Sequence, residues 1–227
     1  MKTHGGDSPS SSPLNGNVRS GVATPRPSGP YVNLVKPILD RVIGLFLLTF
    51  FSPIIIIAGL VILIRLGRPV FYSQERIGLD GRSFRLHKLR TMVPDRRSGH
   101  RGYHGEERRL THKSLNDPRV APVGRVLRRM RLDELPQFWN VVKGDMSLVG
   151  PRPELPDIVR QYEPWQHQRH QVKPGVTGPW QVSHRNGKLM HECTELDLDY
   201  LEHIGLLHDL RILAETPLAM VGGRKGY

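Results

Sequence analysis

The sequence predicts an α+β protein that is mainly helical with little sheet and that carries one apolar helix of membrane type in its N-terminal third. Three observations support this fold class. A stretch of 23 residues without a charge runs from Val42 to Ile64, a short segment of alternating apolar and polar residues follows it, and helical spacing then returns. The length of 227 residues allows one domain with a core and appendages, but not two full-sized domains.

The first 33 residues are predicted to be a disordered tail. They contain six Ser, five Pro and five Gly and almost no clustered apolar residues. Such a composition cannot bury enough apolar surface to offset the entropy of ordering the chain. The tail also lacks the apolar core and small-residue cleavage site of a secretory signal, so we expect a cytoplasmic extension.

Residues 34–65 form the predicted membrane helix. The uncharged stretch would be about 35 Å long as a helix, enough to cross a hydrocarbon core of about 30 Å. Pro53, preceded by Ser52, lies near its midpoint and predicts a kink. Basic residues flank both ends, which favours keeping both ends on the cytoplasmic side. A spanning helix and a re-entrant helix broken at Ser52 and Pro53 both fit these residues.

The charge of the chain is concentrated after this helix. The stretch from Arg65 to Arg131 contains 18 Lys or Arg and six Asp or Glu. Its net charge of +12 equals the formal net charge of the whole chain. Such a balance implies polyanionic partners: nucleic acid, anionic lipid or phosphorylated small molecules. Cys193 is the single cysteine, so an intrachain disulfide and a zinc site built on cysteines are excluded.

The segment from Val70 to Met92 predicts two short strands around a turn at Gly78–Gly81. Lys88 and Arg90 are two residues apart and would share one face of a strand, a geometry suited to gripping a diphosphate. Residues 94–118 are rich in Arg, His, Gly and Pro and predict a loop.

Helical spacing returns from Gly124 to Trp139, where Val126, Leu127, Met130, Leu135 and Phe138 can share a face. This predicted helix contains the adjacent carboxylates Asp133 and Glu134. Nearby guanidinium groups would keep them ionised, and an ionised carboxylate can act as a nucleophile, a metal ligand or both. Spacing alone fits an exposed acidic pair that balances local arginines equally well.

Five segments together resemble one known family. They are the Ser-Pro pair within the apolar helix, FRLHKLRTM, LDELPQFWNVVKGDMSLVGPRP, KPGVTGPWQVSHRN and ELDLDYL. They resemble the bacterial sugar transferase family, the monotopic polyprenol-phosphate phosphoglycosyl transferases in their minimal short form, over about Lys36 to Met220. The resemblance implies a re-entrant helix broken at Ser52 and Pro53. It also implies that residues 66–227 form a catalytic domain on the cytoplasmic face of the bacterial inner membrane.

The resemblance implies a chemistry as well. Family members transfer a sugar 1-phosphate from a UDP-sugar to polyprenyl phosphate and release UMP, with Mg²⁺, as the first membrane step of polysaccharide or glycan assembly. Asp133 would be the nucleophile that forms a covalent phosphosugar intermediate, and Glu134 would support the metal or position the acceptor, so both are candidate metal ligands. The candidate phosphate-binding residues are Arg128 and Arg152, with Lys88, Arg90 and Arg185 as weaker candidates. Asp197 or Asp199 could assist the site or be structural.

The expected partners are therefore a UDP-sugar, polyprenyl phosphate and membrane lipid. Nucleic acid is not expected as a partner, and the sequence leaves open whether the chain forms a homodimer. The alternative function is a membrane-tethered basic protein that binds nucleic acid or another partner. Such a protein would need aromatic residues among the cations to stack bases, but aromatic residues make up only 7% of the chain. The absence of GxGxxG and GxxxxGK[ST] patterns argues against a Rossmann nucleotide site and a P-loop.

Overall fold

A computed structural model describes residues 25–93, 120–183 and 189–221. Most of the predicted tail and the predicted loop at 94–118 lie outside these ranges. The described chain is mainly helical with two small sheets, as predicted. Its helical part begins with a π-helical turn at Tyr31–Val35, so residues 31–33 are helical although the sequence places them in the tail.

The apolar segment forms one long helix, α1 (Lys36–Leu66), of 31 residues. α1 continues through Pro53, which has no N–H to donate to the carbonyl of Thr49. The Ser52 hydroxyl donates to that carbonyl instead, at 2.7 Å. α1 thus runs through Ser52 and Pro53 as one helical element, because the neighbouring hydroxyl satisfies the freed acceptor. The kink expected at these two residues and the re-entrant topology stay predictions.

One stripe of α1 packs along the rest of the protein. Gly44 allows a close approach, because a Cβ at this position would lie only 2.9 Å from a methyl carbon of Val141. The stripe repeats every three or four residues, as one face of a helix requires, and consists of Lys36, Asp40, Gly44, Leu47, Phe51, Ile55, Ala58 and Ile62. The other faces of α1 expose large apolar side chains, among them Phe46, Phe50, Ile57 and Ile64. α1 is also long and apolar enough to cross a membrane by length and composition alone.

Polar contacts hold both ends of α1. Near its N-terminus, Lys36 pairs with the buried Asp209 at 2.5 Å, and Asp40 accepts the backbone N–H of Leu148 at 3.0 Å. At its C-terminus, the guanidinium of Arg90 donates to the carbonyls of Leu66, Gly67 and Arg68. The two ends of this helix are therefore attached to the same folded unit.

The predicted strand pair is present as an antiparallel hairpin of β1 (Phe71–Ile77) and β2 (Ser83–Leu89). Residues Gly78–Arg82 connect the strands through a short 3₁₀ turn that places Asp80 and Gly81 at positive φ. The hairpin register places Tyr72 opposite Lys88.

The single helix predicted over Gly124–Trp139 is two helices in the structure. α2 (Pro122–Arg129) ends before Arg131, which adopts a left-handed conformation with φ 53°. A 3₁₀ turn at Leu132–Glu134 follows, and α3 (Gln137–Lys143) begins after Pro136. A proline cannot supply the N–H that a continuous helix needs, so the chain turns here. As a result Val126 and Met130 are exposed, whereas Leu127 is buried.

The remaining elements complete the core. A parallel pair of strands, β3 (Ser147–Val149) and β4 (Gly175–Thr177), lies beside α3. The chain just after β4 packs closely against the chain just after β3. A Cβ at Gly178 would lie only 2.0 Å from the carbonyl oxygen of Gly150. The helices of this part are α4 (Pro156–Val159), α5 (Pro179–Val182), α6 (Thr194–Glu202) and α7 (Leu206–Val221). 3₁₀ turns at Pro164–Gln171 and Met190–Cys193 precede β4 and α6.

Candidate active site

The acidic pair lies in the 3₁₀ turn between α2 and α3. Successive residues of a 3₁₀ helix are about 120° apart, so the two side chains point in different directions from one short turn. Asp133 is buried, and the side chain of Glu134 is 13% exposed. The pair is thus largely enclosed and does not lie on an open solvated face.

Cations surround Glu134. One of its carboxylate oxygens, Oε1, accepts both Lys88 Nζ at 2.7 Å and Arg152 Nη2 at 2.8 Å. The guanidinium of Arg131 lies 3.8 Å from the second oxygen, Oε2. Burial alone would raise the pKa of Glu134, but Arg152 and Lys88 outweigh burial and hold the pKa well below its usual range. Glu134 is therefore an ionised anchor for these cations.

Asp133 has a different environment. Among the described residues, its side chain forms no ion pair within 4 Å. Burial and the adjacent negative charge of Glu134 raise the pKa of Asp133, and Lys88 and Arg128 oppose this rise only in part. A carboxylate with a raised pKa is more basic, and hence a better nucleophile, than a carboxylate paired with a guanidinium.

Three of the predicted phosphate-binding residues lie at the site. Lys88 and Arg152 meet at Glu134, although they are 64 positions apart in the chain. Arg128 is near enough to Asp133 to affect its pKa, and its Nε donates to the Thr91 hydroxyl at 2.8 Å. These cations offer positive charge on both sides of the acidic pair.

Arg90 contacts a different part of the protein from Lys88. Strand β2 ends at Leu89, and the backbone N–H of Arg90 still donates to the carbonyl of Val70 at 2.9 Å. The side chain of Arg90 is buried and donates to three carbonyls at the end of α1. It therefore holds the end of α1, and its assignment as a phosphate-binding residue stays a prediction.

The other candidates have different positions. Arg185 lies outside the described residues. Asp197 is buried and pairs with Arg169 at 2.7 Å, whereas Asp199 is exposed beside His203. Asp197 thus belongs to the interior behind the site, because Arg169 also donates to the main-chain carbonyl of Arg152 at 2.8 Å.

Two residues that sequence reasoning missed support the site from behind. Asn140, fully buried on α3, accepts the backbone N–H of His87 and donates to the carbonyl of Arg85, which fixes the part of strand β2 that precedes Lys88. Arg169 holds the backbone of Arg152 as described above. Asn140 lies within the motif LDELPQFWNVVKGDMSLVGPRP, but no local spacing reveals the role of Asn140 or Arg169, because each acts through partners distant in the chain.

The residues present fit a magnesium ion that is held mainly by its substrate. Among the described residues there is no cluster of three or more His, Cys, Asp or Glu that could hold a metal. Mg²⁺ at phosphoryl sites commonly uses only one or two carboxylates, together with substrate phosphates and water. One oxygen of Glu134 already accepts hydrogen bonds from Lys88 and Arg152. Asp133 is therefore the better Mg²⁺ ligand of the two carboxylates.

A pocket of about 170 Å³ opens beside the acidic pair, between α3, α5 and α7. Glu134 and Arg131 form its polar end, and apolar side chains form most of its wall. A buried acidic pair surrounded by cations, next to an apolar pocket and a membrane-type helix, is the arrangement expected of an enzyme that acts on anionic substrates at a membrane.

Comparison with known proteins agrees with this class. The family model described as bacterial sugar transferase matches residues 31–223. The chain is 40% identical over 183 residues to the uncharacterized sugar transferase EpsL of Bacillus subtilis, which covers 81% of this chain and 85% of that protein. It is 36% identical over 221 residues to the UDP-glucose:undecaprenyl-phosphate glucose-1-phosphate transferase of Caulobacter vibrioides, which covers 90% and 78%.

A third relative is longer. The galactosyl transferase CpsE of Streptococcus agalactiae is 40% identical over 153 residues, which is 66% of this chain but only 34% of that protein. The family match extends over the apolar helix, the hairpin and the acidic pair. The chain belongs to the bacterial sugar transferase family.

Proposed function

We propose that this enzyme transfers a sugar 1-phosphate from a UDP-sugar to polyprenyl phosphate through a covalent intermediate on Asp133, with release of UMP. The observation that carries this proposal is the contrast within the acidic pair. Glu134 is neutralised by Lys88 and Arg152, whereas Asp133 is buried without an ion pair among the described residues. Relatives named as UDP-glucose and UDP-galactose transferases support the donor and acceptor classes.

In the first half-reaction, a carboxylate oxygen of Asp133 attacks the sugar-linked phosphorus of the UDP-sugar. A P–O bond forms to Asp133, and the bond between this phosphorus and the bridging oxygen of the diphosphate breaks. The electron pair leaves with UMP. The cations Lys88, Arg128 and Arg152 lie where they can offset the charge that builds up on the transferring group and on UMP.

In the second half-reaction, a phosphate oxygen of polyprenyl phosphate attacks the same phosphorus. The bond to Asp133 breaks, the carboxylate is regenerated, and the product is a polyprenyl diphosphate sugar. Two steps allow the two large anionic substrates to react one after the other, so that both need not be held together at once.

Mg²⁺ is part of the proposal as a cofactor, with Asp133 as its protein ligand. When bound, it would neutralise charge on the diphosphate. Glu134 contributes by holding Lys88 and Arg152 in place, and the hydrogen bonds to its Oε1 support this positioning role.

We further infer a monotopic arrangement at the cytoplasmic face of the inner membrane. Lys36 and Asp40 attach one end of α1 to the folded unit, and Arg90 attaches the other end to the same unit. A crossing helix would separate its ends by a hydrocarbon core of about 30 Å. The exposed apolar faces of α1 would then contact lipid, and basic residues beside it would contact anionic headgroups.

The test is an assay of UMP release. Membranes with the protein are incubated with Mg²⁺, undecaprenyl phosphate and, in turn, UDP-glucose, UDP-galactose and UDP-N-acetylgalactosamine. We expect UMP from at least one donor, none from Asp133→Asn, and wild-type release from Asp157→Asn, a matched change at a partly exposed aspartate that pairs with Arg160. Absence of UMP with every donor would favour the alternative of a basic nucleic-acid-binding or interaction protein.

A further inference from the structure

The pocket beside the acidic pair is not accounted for by the chemistry of the two half-reactions. It has a volume of about 170 Å³ and reaches from Glu134 to α7. Most of its wall is apolar, with Leu135, Phe138, Val176, Val182 and Ala219. An apolar space of this kind, with Arg131 beside a Glu134 that is already paired with cations, suits a ligand with an apolar body and an anionic end.

The hydroxyl groups in the wall do not make it polar. Thr216 donates to the carbonyl of Ile212 at 2.7 Å, and its oxygen lies 2.8 Å from the Thr177 hydroxyl. Because the proton of Thr216 is used in the first bond, Thr177 donates in the second. The two hydroxyls therefore satisfy each other and the helix backbone, and the wall can accept hydrocarbon without leaving them unpaired.

The size of the pocket limits what can enter. An apolar protein cavity of roughly 150 Å³ accommodates one benzene molecule, which has six carbons. A five-carbon isoprene unit therefore fits the present volume, whereas a complete polyprenyl chain does not. Only the unit next to the phosphate could be held here, and the rest of the chain would extend into the membrane.

Phe138 connects the wall of the pocket to the apolar helix α1. Phe138 forms part of its wall, and the ring of Phe138 stacks on the ring of Phe51 in α1, with centroids 6.2 Å apart and planes at 10°. Helix α7, which supplies Ala219 to the pocket, exposes further apolar side chains on its outer surface, namely Leu207, Leu210 and Leu218. A lipid chain could therefore pass from the membrane region to the pocket along apolar side chains.

The polar end of the pocket suits a phosphate. Arg131 lines it, and the left-handed backbone of this residue turns the chain immediately before the acidic pair. Glu134, which also lines it, is adjacent to Asp133, where the phosphorylated sugar is carried in the proposed function. A phosphate held by Arg131 would thus lie at the 3₁₀ turn that carries Asp133, although the Asp133 side chain leaves this turn in a different direction from that of Glu134.

We propose that this pocket binds the first isoprene unit of the polyprenyl phosphate acceptor, with Arg131 beside its phosphate. This proposal rests on the proposed function and assigns one substrate of that reaction to a defined place. A uridine ring is a poorer match, because most of the wall is apolar and the Thr177 and Thr216 hydroxyls already bond each other and the helix backbone.

The first test fills the pocket. Ala219→Phe adds a ring where the side chain is buried, and Ala214→Phe makes the same change at an exposed position of the same helix. We expect Ala219→Phe to raise the KM for undecaprenyl phosphate at least tenfold. UMP release from the donor in the absence of acceptor stays at the wild-type level, and Ala214→Phe changes neither quantity. An unchanged acceptor KM in Ala219→Phe, or an equal loss in the donor half-reaction, overturns the proposal.

The second test uses the wild-type protein and does not depend on turnover. A polyprenyl phosphate that carries a photoreactive diazirine on its first isoprene unit is cross-linked to the protein in detergent micelles or nanodiscs. We expect labelled peptides from α5 or α7 that contain Val182 or Ala219, and competition by undecaprenyl phosphate. Labelling confined to α1 contradicts the pocket assignment. Absence of UMP with every donor defeats the proposed function instead, so the two failures are distinguishable.

Discussion

Asp133 and Glu134 are adjacent in one 3₁₀ turn, but their charges are balanced differently. A single oxygen of Glu134 accepts hydrogen bonds from Lys88 and Arg152. The side chain of Asp133, in contrast, has no ion pair within 4 Å among the described residues. The pKa of Glu134 is lowered and that of Asp133 is raised. Two carboxylates of the same chemistry thus differ in how readily they ionise because of their surroundings.

The first prediction concerns pH. Asp133 reacts as the carboxylate, so UMP release falls as the pH drops through its raised pKa. The positive charge of Lys88 lowers the pKa of Asp133, so removal of this charge must raise that pKa further. We expect Lys88→Met to move the acid limb of the pH profile for UMP release to higher pH, besides reducing the rate. Arg82→Met, which removes an exposed cation from the hairpin turn, serves as the control and should leave the limb in place.

The second prediction concerns the interior behind Arg152. Arg169→Met leaves Asp197 buried without its partner, which should cost about 3–5 kcal/mol of unfolding free energy. The double variant Arg169→Met with Asp197→Leu removes both charges and should recover most of that stability. It still lacks the hydrogen bond to the carbonyl of Arg152, so we expect turnover to stay low. Thermal unfolding and initial rates separate the two effects, and full recovery of turnover would show that Arg169 does not position Arg152.

The third prediction concerns the membrane helix. Ser52→Ala removes the donor to the carbonyl of Thr49 and should destabilise the protein in nanodiscs by about 1–3 kcal/mol. In a Pro53→Ala background the backbone N–H of the introduced alanine can reach the same carbonyl, so the further change Ser52→Ala should have little effect. Equal effects of Ser52→Ala in both backgrounds would mean that the hydroxyl does not compensate for the proline.

The fourth prediction concerns topology. In a Cys193→Ser background, single cysteines are introduced at Ser28, before α1, and at Arg82, after it. We expect a membrane-impermeant maleimide to label neither site in intact cells and both sites after permeabilisation. Labelling of one site alone in intact cells would indicate a helix that crosses the membrane.

Local patterns predicted those parts of the fold that depend on near neighbours. The hairpin follows from alternation around glycines, and the apolar helix follows from an uninterrupted run of uncharged residues. The acidic pair and Arg152 were found through a specific motif. The hydrogen bonds of Lys88 and Arg152 to Glu134 could not be deduced from spacing, because these residues are 46 and 18 positions away from it.

The errors also have physical causes. Helical spacing from Gly124 to Trp139 gave no sign that Arg131 turns left-handed before Pro136, so one helix was predicted where there are two. The two-residue spacing of Lys88 and Arg90 gave no sign that the Arg90 side chain bonds carbonyls at the end of α1, because these partners are 22 to 24 positions away. Asn140 lies within a motif, but the motif does not reveal its role, since its backbone partners are 53 and 55 positions away.

The central claim is that Asp133 carries the phosphorylated sugar between the two substrates. The most direct measurement incubates the protein with a UDP-sugar radiolabelled in the sugar, without acceptor, and locates the label by proteolysis and mass spectrometry. The account predicts one phosphosugar on the peptide that contains Asp133, its loss when undecaprenyl phosphate is added, and no label in Asp133→Asn. Formation of labelled lipid product without any label on the polypeptide would contradict it.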